Sequence, residues 1–262
     1  MTETLTQLPD VYPTRGGGFE EIPRQDPVVW DPTASGPLTD DAVSSFDRSG
    51  YLAIDQLVTP AEVEAYRDEL RRLSDDPAVR ADERTVVERH SQEVRSIFEV
   101  HKISEVFREL ANDRRLVDRA RQLLGSDVYI HQSRVNFKPG YDGKEFYWHS
   151  DFETWHAEDG MPRMRAVSIS IALTENYSYN GALMIMPGSH RSYISCGGQT
   201  PDDNYKGSLV QQEAGTPDHA SIARLAERHG IDVLEGRAGG ATMFDCNCMH
   251  GSNGNITPFP RS

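Results

Sequence analysis

The sequence predicts a β-rich domain, a sandwich or barrel, wearing a layer of helices drawn mostly from its first half. Three observations carry this. Capped apolar stripes of helical period lie before residue 125, short strands broken by Gly, Pro and Asn follow from Val128, and "RAVSISIALT" alternates with period two. At 262 residues the chain can bury a sizeable core in a single domain.

Residues 1–37 are rich in Pro, Gly and acids, and "TRGGGFEEIPRQDP" has neither helical nor strand periodicity, so an irregular arm is expected there. In "LTDDAVSSFDRSGYLAI", Thr39 caps a helix carrying Val43 and Phe46, Gly50 ends it, and Tyr51 to Ile54 continues as a strand. "VTPAEVEAYRDELRRL" repeats the signal with Thr59 as N-cap, Pro60 at the first helical position and Glu62 closing a capping box. Its apolar stripe is Val63, Tyr66, Leu70 and Leu73. Further helices are expected over Ile103 to Ala111 and Leu116 to Leu124. From Val128 onward strands dominate, with one helical interruption near Ser221 to His229. In "RAVSISIALT", Val167, Ile169, Ile171 and Leu173 face one way and Ser168, Ser170 and Ala172 the other, which suits the wall of a barrel with a cavity.

A net charge of −14 argues against partners made of nucleic acid or anionic membrane, whose phosphates would repel such a surface. No apolar run approaches a membrane span, and "MTETLTQLPD" lacks the basic and apolar segments of a secretory signal. Cys196, Cys246 and Cys248 are an odd set whose Cys-x-Cys pair is poorly placed for a disulfide, so a cytoplasmic location is expected.

The chemistry-bearing stretch is "FYWHSDFETWH". On a strand, His149 and Asp151 would project to one face and could share a cation, and His250 in the turn-rich "CNCMHGSNGN" supplies a second imidazole. Two histidines and one carboxylate form the facial triad of non-heme Fe(II) oxygenases, although zinc with the same ligands is chemically possible. Arg261, eleven residues after His250, favours iron: its guanidinium can clamp the far carboxylate of a dicarboxylate cosubstrate whose keto-acid end chelates the metal. Gln132, Arg134 and Asn136 fall at alternate positions and would line a cavity.

These residues, with "NGALMIMPGSH", resemble the phytanoyl-CoA dioxygenase-like branch of Fe(II)/2-oxoglutarate oxygenases. "HQSRVNFKPG", "FYWHSDFETWHAEDGMPRMR" and "TPDDNY" narrow the resemblance to its ectoine hydroxylases, over roughly residues 38–262. The resemblance implies a double-stranded β-helix, a cupin-like jelly roll flanked by α-helices. It implies one oxygenase domain over 38–262, with a helical part at 38–125 and the jelly roll at 126–262. Family members continue past the position of Arg261, so a last strand and tail are expected to be missing.

The resemblance further implies that Fe(II) is held by His149, Asp151 and His250, and that 2-oxoglutarate is contacted by Lys138 and Arg261, with Asn136, Arg134 and Ser252 as further candidates. It places ectoine against Gln132 and Trp155, with Thr154 beside them. O2 is then the other cosubstrate, 5-hydroxyectoine the product and a homodimer the expected assembly. Because related halogenases lack the carboxylate, Asp151 points to hydroxylation. Ectoine is a cyclic amidinium with a carboxylate, so Trp155 can offer its ring to the cation and Gln132 a hydrogen bond. His131 and His156 are expected to pack or support, and His190 to hold a turn. Cys246 and Cys248 have no second pair to complete a zinc site. A sister hydroxylase of another small polar substrate and a non-catalytic cupin-like binder are the alternatives.

Overall fold

The protein, represented by a computed structural model, is described over residues 9–16, 18–88, 92–198 and 214–262; the "TPDDNY" segment lies outside them. In chain order the described elements begin with β1 (Glu21–Pro23), α1 (Asp40–Ser49), β2 (Tyr51–Ile54), α2 (Pro60–Asp75) and α3 (Pro77–Ala81). Next come β3 (Thr85–Val87), β4 (Val94–Phe98), α4 (Val100–Ile103), α5 (Glu105–Ala111), α6 (Arg114–Leu124), β5 (Arg134–Asn136), β6 (Phe146–His149) and α7 (Asp151–Asp159). The remainder is β7 (Val167–Ile171), β8 (Leu183–Ile185), β9 (Ser192–Ile194), α8 (His219–His229), β10 (Asp232–Leu234), β11 (Ala241–Asp245) and β12 (His250–Ser252).

Strands β2, β11 and β7 form one antiparallel sheet, and β10, β8, β12 and β6 form the opposing one, giving a jelly roll. A third sheet, β3-β4-β5, extends the wall, and β1 pairs with β9. The helices cover the first sheet for the reason their sequences suggest. The Thr59 side chain accepts from Glu62 N–H while the Glu62 carboxylate accepts from Thr59 N–H, and Val63, Tyr66, Leu70 and Leu73 of α2 are all buried. That stripe meets Ile97, Leu116 and Leu173, with Ile169 and Ile171 packed against it. Each such side chain contributes roughly 1.5–3 kcal/mol when fully buried. Phe46 of α1 and Leu123 of α6 close the rest of the outer face over Met243 and Val167. The outer face of β7 is therefore greasy, and its small polar face turns inward.

Three local expectations need correction. Asp151 is not on a strand: β6 stops at His149, Ser150 caps the next helix by accepting from Glu153 N–H, and Asp151 is the first residue of α7. The helical half contains strands β3 and β4, which gain their ladder from β5 rather than from any strong alternation of their own. Gln132 precedes β5 and is exposed, so it does not share a regular strand face with Arg134 and Asn136. The arm also acquires structure from its surroundings: β9 templates β1, and Tyr12 is fully buried against Phe152 and Tyr193.

Candidate metal centre

His149 and His250 lie directly opposite one another on the antiparallel strands β6 and β12, so both rings stand on one face, their centroids 4.3 Å apart. The strand-to-helix corner after His149 then swings Asp151 beneath them. Asp151 Oδ1 is 3.8 Å from the Nε2 of each histidine, and the potential ligand atoms of the three residues all lie within 4.8 Å of one another. Among the described residues this is the one His/Cys/Asp/Glu cluster with metal-binding geometry.

The residues fit a divalent cation chemically. His149 Nδ1 donates to Tyr147 O at 2.7 Å and His250 Nδ1 to Cys248 O at 3.0 Å, tautomers that leave both Nε2 lone pairs free to point at one spot. Burial, reinforced by the neighbouring His250, holds His149 below the usual imidazole range and therefore neutral. Burial alone would raise Asp151, but His250, His149, Arg134 and the Ser168 hydroxyl outweigh it and hold the carboxyl below its ordinary value. Ser168 Oγ, on the inward face of β7, donates to Asp151 Oδ2 at 2.7 Å. Two imidazoles with Nε2 turned to one spot and one oriented carboxylate are the donor set of a facial triad. The cysteines next door are a different case: burial pushes Cys246 and Cys248 well up, keeping them as thiols, and Cys248 Sγ donates to Gly50 O at 3.2 Å.

A cationic end lies beyond the triad. Lys138 and Arg261 are joined by a reciprocal backbone bridge. Lys138 is 2 % exposed, and its ammonium donates to Asn253 O and sits 5.2 Å from the centre of the Phe146 ring. Arg95 and Arg134 approach the same ring at 4.8 and 5.8 Å. Arg261 donates from Nη1 to Gly181 O at 2.8 Å and from Nε to Asn176 Oδ1 at 3.1 Å. Burial pushes Lys138 down to about 7, with Arg261 and Arg95 adding to it, and pushes Arg261 down to about 10. Arg95 is paired with Glu88 at 3.4 Å, whereas among the described residues Lys138 and Arg261 make no salt bridge to a carboxylate, so this buried pair suits an anion.

The "NGALMIMPGSH" motif supports this end. Gly181 takes φ +82°, and a Cβ there would meet Asn253 O and, at 2.9 Å, Lys138 Cδ. His190 holds a turn, its Nε2 donating to Asp47 O at 3.1 Å, and Ser189 Oγ accepts from Met249 N–H at 2.9 Å just ahead of His250.

The remaining candidates are distributed around the cavity. Ser252 is buried on β12, two residues from His250; Asn136 on β5 accepts from Ser96 Oγ at 2.8 Å; Arg134 on β5 is exposed, its guanidinium 6.0 Å from the centre of the Phe98 ring. Trp155 lies one turn after Asp151 on the same side of α7, buried among Tyr12, Phe152 and Met164, with Thr154 half-buried beside it. His131 meets the Trp155 ring at 5.0 Å and bonds Asp159 at 3.0 Å, and His156 bonds Met161 O, so both support neighbours. Ser168 and Phe146 were not singled out from sequence. Ser168 had a signal, since it opens the small polar face of β7, whereas Phe146 reads as one more aromatic among several.

The comparisons agree with this geometry. The family model described as phytanoyl-CoA dioxygenase (PhyH) matches residues 46–262. The ectoine dioxygenase of Streptomyces coelicolor is 62% identical over 263 residues, covering 100% of this chain and 88% of that protein. The ectoine dioxygenase of Sphingopyxis alaskensis is 53% identical over 259 residues, covering 97% and 84%. The crystal structure of EctD from S. alaskensis with 2-oxoglutarate and 5-hydroxyectoine superposes with a TM-score of 0.86 at 49% identity, covering 97% of this chain and 84% of that one. The same protein with bound Fe gives 0.86, also at 49% identity, covering 97% and 85%. On the matched span and these relatives, the chain belongs to the phytanoyl-CoA dioxygenase family.

Proposed function

We propose that the chain is an Fe(II)- and 2-oxoglutarate-dependent dioxygenase that hydroxylates ectoine to 5-hydroxyectoine, acting through one oxygenase domain over 38–262. The observation that carries this is the pairing of the His149, Asp151 and His250 cluster with the buried cations Lys138 and Arg261. A metal site alone would suit a binder; a metal site facing a buried anion receptor suits a chelating dicarboxylate. The relatives named ectoine dioxygenase, and the solved structure holding 2-oxoglutarate and 5-hydroxyectoine, supply the substrate.

The iron, when bound, supplies the oxidising chemistry: O2 is split between succinate, formed with CO2 from 2-oxoglutarate, and the hydroxyl of the product. The protein's own work is placement. His149, Asp151 and His250 would hold the metal and, being three ligands, would leave coordination positions for the cosubstrate and O2. Arg261 and Lys138 neutralise the far carboxylate, Arg261 through its planar fork. Arg134, Asn136 and Ser252 are further candidates for contacts to 2-oxoglutarate, while Gln132 can hydrogen-bond ectoine and Trp155, with Thr154 beside it, can face the amidinium. The apolar packing around the triad keeps water from the reacting centre.

The homodimer inferred with this activity is supported by the family resemblance and the cytoplasmic location by the three cysteines, which are buried as free thiols; no helix among the described residues is long and apolar enough to cross a membrane. Sedimentation velocity tests the dimer. The activity is tested by anaerobic loading with Fe(II) and 2-oxoglutarate, then ectoine and O2, with succinate and product mass read together. Succinate matching an ectoine product one oxygen heavier, lost in Asp151→Ala, supports the reading. Succinate without the heavier product moves the assignment to another small polar substrate, and no succinate moves it to a binding protein.

A further inference from the structure

The arm ahead of α1 carries two arginines whose partners are buried carboxylates on the two segments that hold the metal ligands. Arg15 makes a paired contact with Glu153 of α7, Nε to Oε1 at 2.7 Å and Nη2 to Oε2 at 2.9 Å, and adds Glu158 at 3.1 Å. Thr14 Oγ1 donates to the same Glu153 carboxylate at 2.6 Å. Tyr12 packs edge-on against Phe152, ring centroids 5.4 Å apart. The arm thus grips both residues that immediately follow Asp151. Arg24 donates to Asp245 Oδ1 at 2.8 Å, at the end of β11, and Asp245 Oδ1 also accepts from Asn247 N–H at 2.8 Å, which sets the turn leading to His250.

We propose that this arm is a positioning element of the metal centre: Tyr12, Thr14 and Arg15 fix the first turn of α7, and Arg24 the turn before His250, so that arm docking and metal binding favour each other. The inference rests on the metal-centre reading above. Asp151 and Glu153 are two residues apart on a helix, roughly 200° around its axis. One points at the cavity and the other at the arm. Without Arg15, the buried Glu153 carboxylate loses its compensation, and its relief is to turn α7 toward solvent, which carries Asp151 away from the two imidazoles. The docked arm is also tightly fitted. Arg15 adopts φ 57°, a left-handed conformation a free arm would leave, and a Cβ at Gly215 would collide with the Arg15–Glu153 pair. Because coupling is reciprocal, metal must stabilise the docked arm by the factor that arm docking strengthens metal binding.

The test uses Co(II) alone, titrated anaerobically into the full chain and read by its visible absorption, with Arg15→Gln, Glu153→Gln, the double variant and Arg15→Lys. Each single glutamine variant is expected to weaken Co(II) about tenfold and alter the band shape, as substitutions that orient a ligand do. The double is expected to be no weaker than either single, since both remove one contact, and Arg15→Lys to recover part of the loss. Unchanged Co(II) affinity and spectrum in Arg15→Gln, beside a native circular dichroism spectrum, overturns the proposal. If the wild-type chain itself binds no Co(II), the metal-centre reading fails first. Should the variants not fold, amide hydrogen exchange of the wild-type chain decides: slower exchange over residues 12–24 with Co(II) supports the coupling, and identical exchange with and without Co(II) overturns it.

Discussion

Lys138 and Arg261 hold each other by their backbones, Lys138 N–H donating to Arg261 O at 2.7 Å and Arg261 N–H to Lys138 O at 2.9 Å. As a directly opposed pair their side chains leave the bridge on one side, two like charges kept together by neutral amide bonds. Such an arrangement is costly when empty and is relieved by an anion.

The pH dependence of cosubstrate binding follows. Burial lowers Lys138 to about 7, so without a bound anion the amine loses its proton as pH rises through that value, whereas a bound dicarboxylate favours the protonated form. Affinity for 2-oxoglutarate is therefore greatest below pH 7 and falls by up to about tenfold per pH unit above it. KM for 2-oxoglutarate measured from pH 6.5 to 9 checks this, and Lys138→Met should flatten the slope. An equal slope in the variant rules Lys138 out as the titrating group.

Arg261→Ala removes the fork that meets the far carboxylate. Loss of one partner of a buried charge contact costs about 2–5 kcal/mol, so KM for 2-oxoglutarate should rise by roughly 30-fold or more. Arg261→Lys should recover little, because Gly181 O and Asn176 are spaced for a guanidinium. Isothermal titration of 2-oxoglutarate into the metal-loaded variants measures both.

Ser168→Ala deletes the hydroxyl that orients Asp151. Metal affinity should fall by about 10- to 100-fold while the fold persists, since the site is a small side chain on a well-packed strand. Competition with a chelator reads the affinity, and unaltered retention of metal counts against the role.

Gly50→Ala tests the link between α1 and the His250 turn. Gly50 has φ 79°, and an added Cβ would strike His190 Nδ1 and Cys248 Sγ. The left-handed backbone and the overpacking together should destabilise the protein by about 2–4 kcal/mol, visible as a lower denaturation midpoint.

Legibility from sequence varied with how local the determinant is. The caps of α1 and α2 could be read residue by residue, because Thr39, Gly50, Thr59 and Glu62 act within a few positions of themselves. The inward face of β7 was equally legible from its alternation. Strands β1, β3 and β4 were not, since each is short and owes its form to a partner distant in sequence. The triad could be named from residue types, yet its geometry was misjudged. Spacing by two suggested a shared strand face, where the structure places a corner between His149 and Asp151 capped by Ser150. The buried pairing of Arg15 with Glu153 had no sequence signal, as salt-bridge partners carry no register.

The backbone bridge between Lys138 and Arg261 and the opposition of His149 to His250 also bear on how the protein comes into being. Each joins positions more than 100 residues apart, so neither exists until the late strands have found the earlier ones. A chain extending only through "FYWHSD" has two of the three metal ligands and Lys138 without Arg261. The complete ligand set and the cationic pair therefore come into existence together, at the closure of the same late strands.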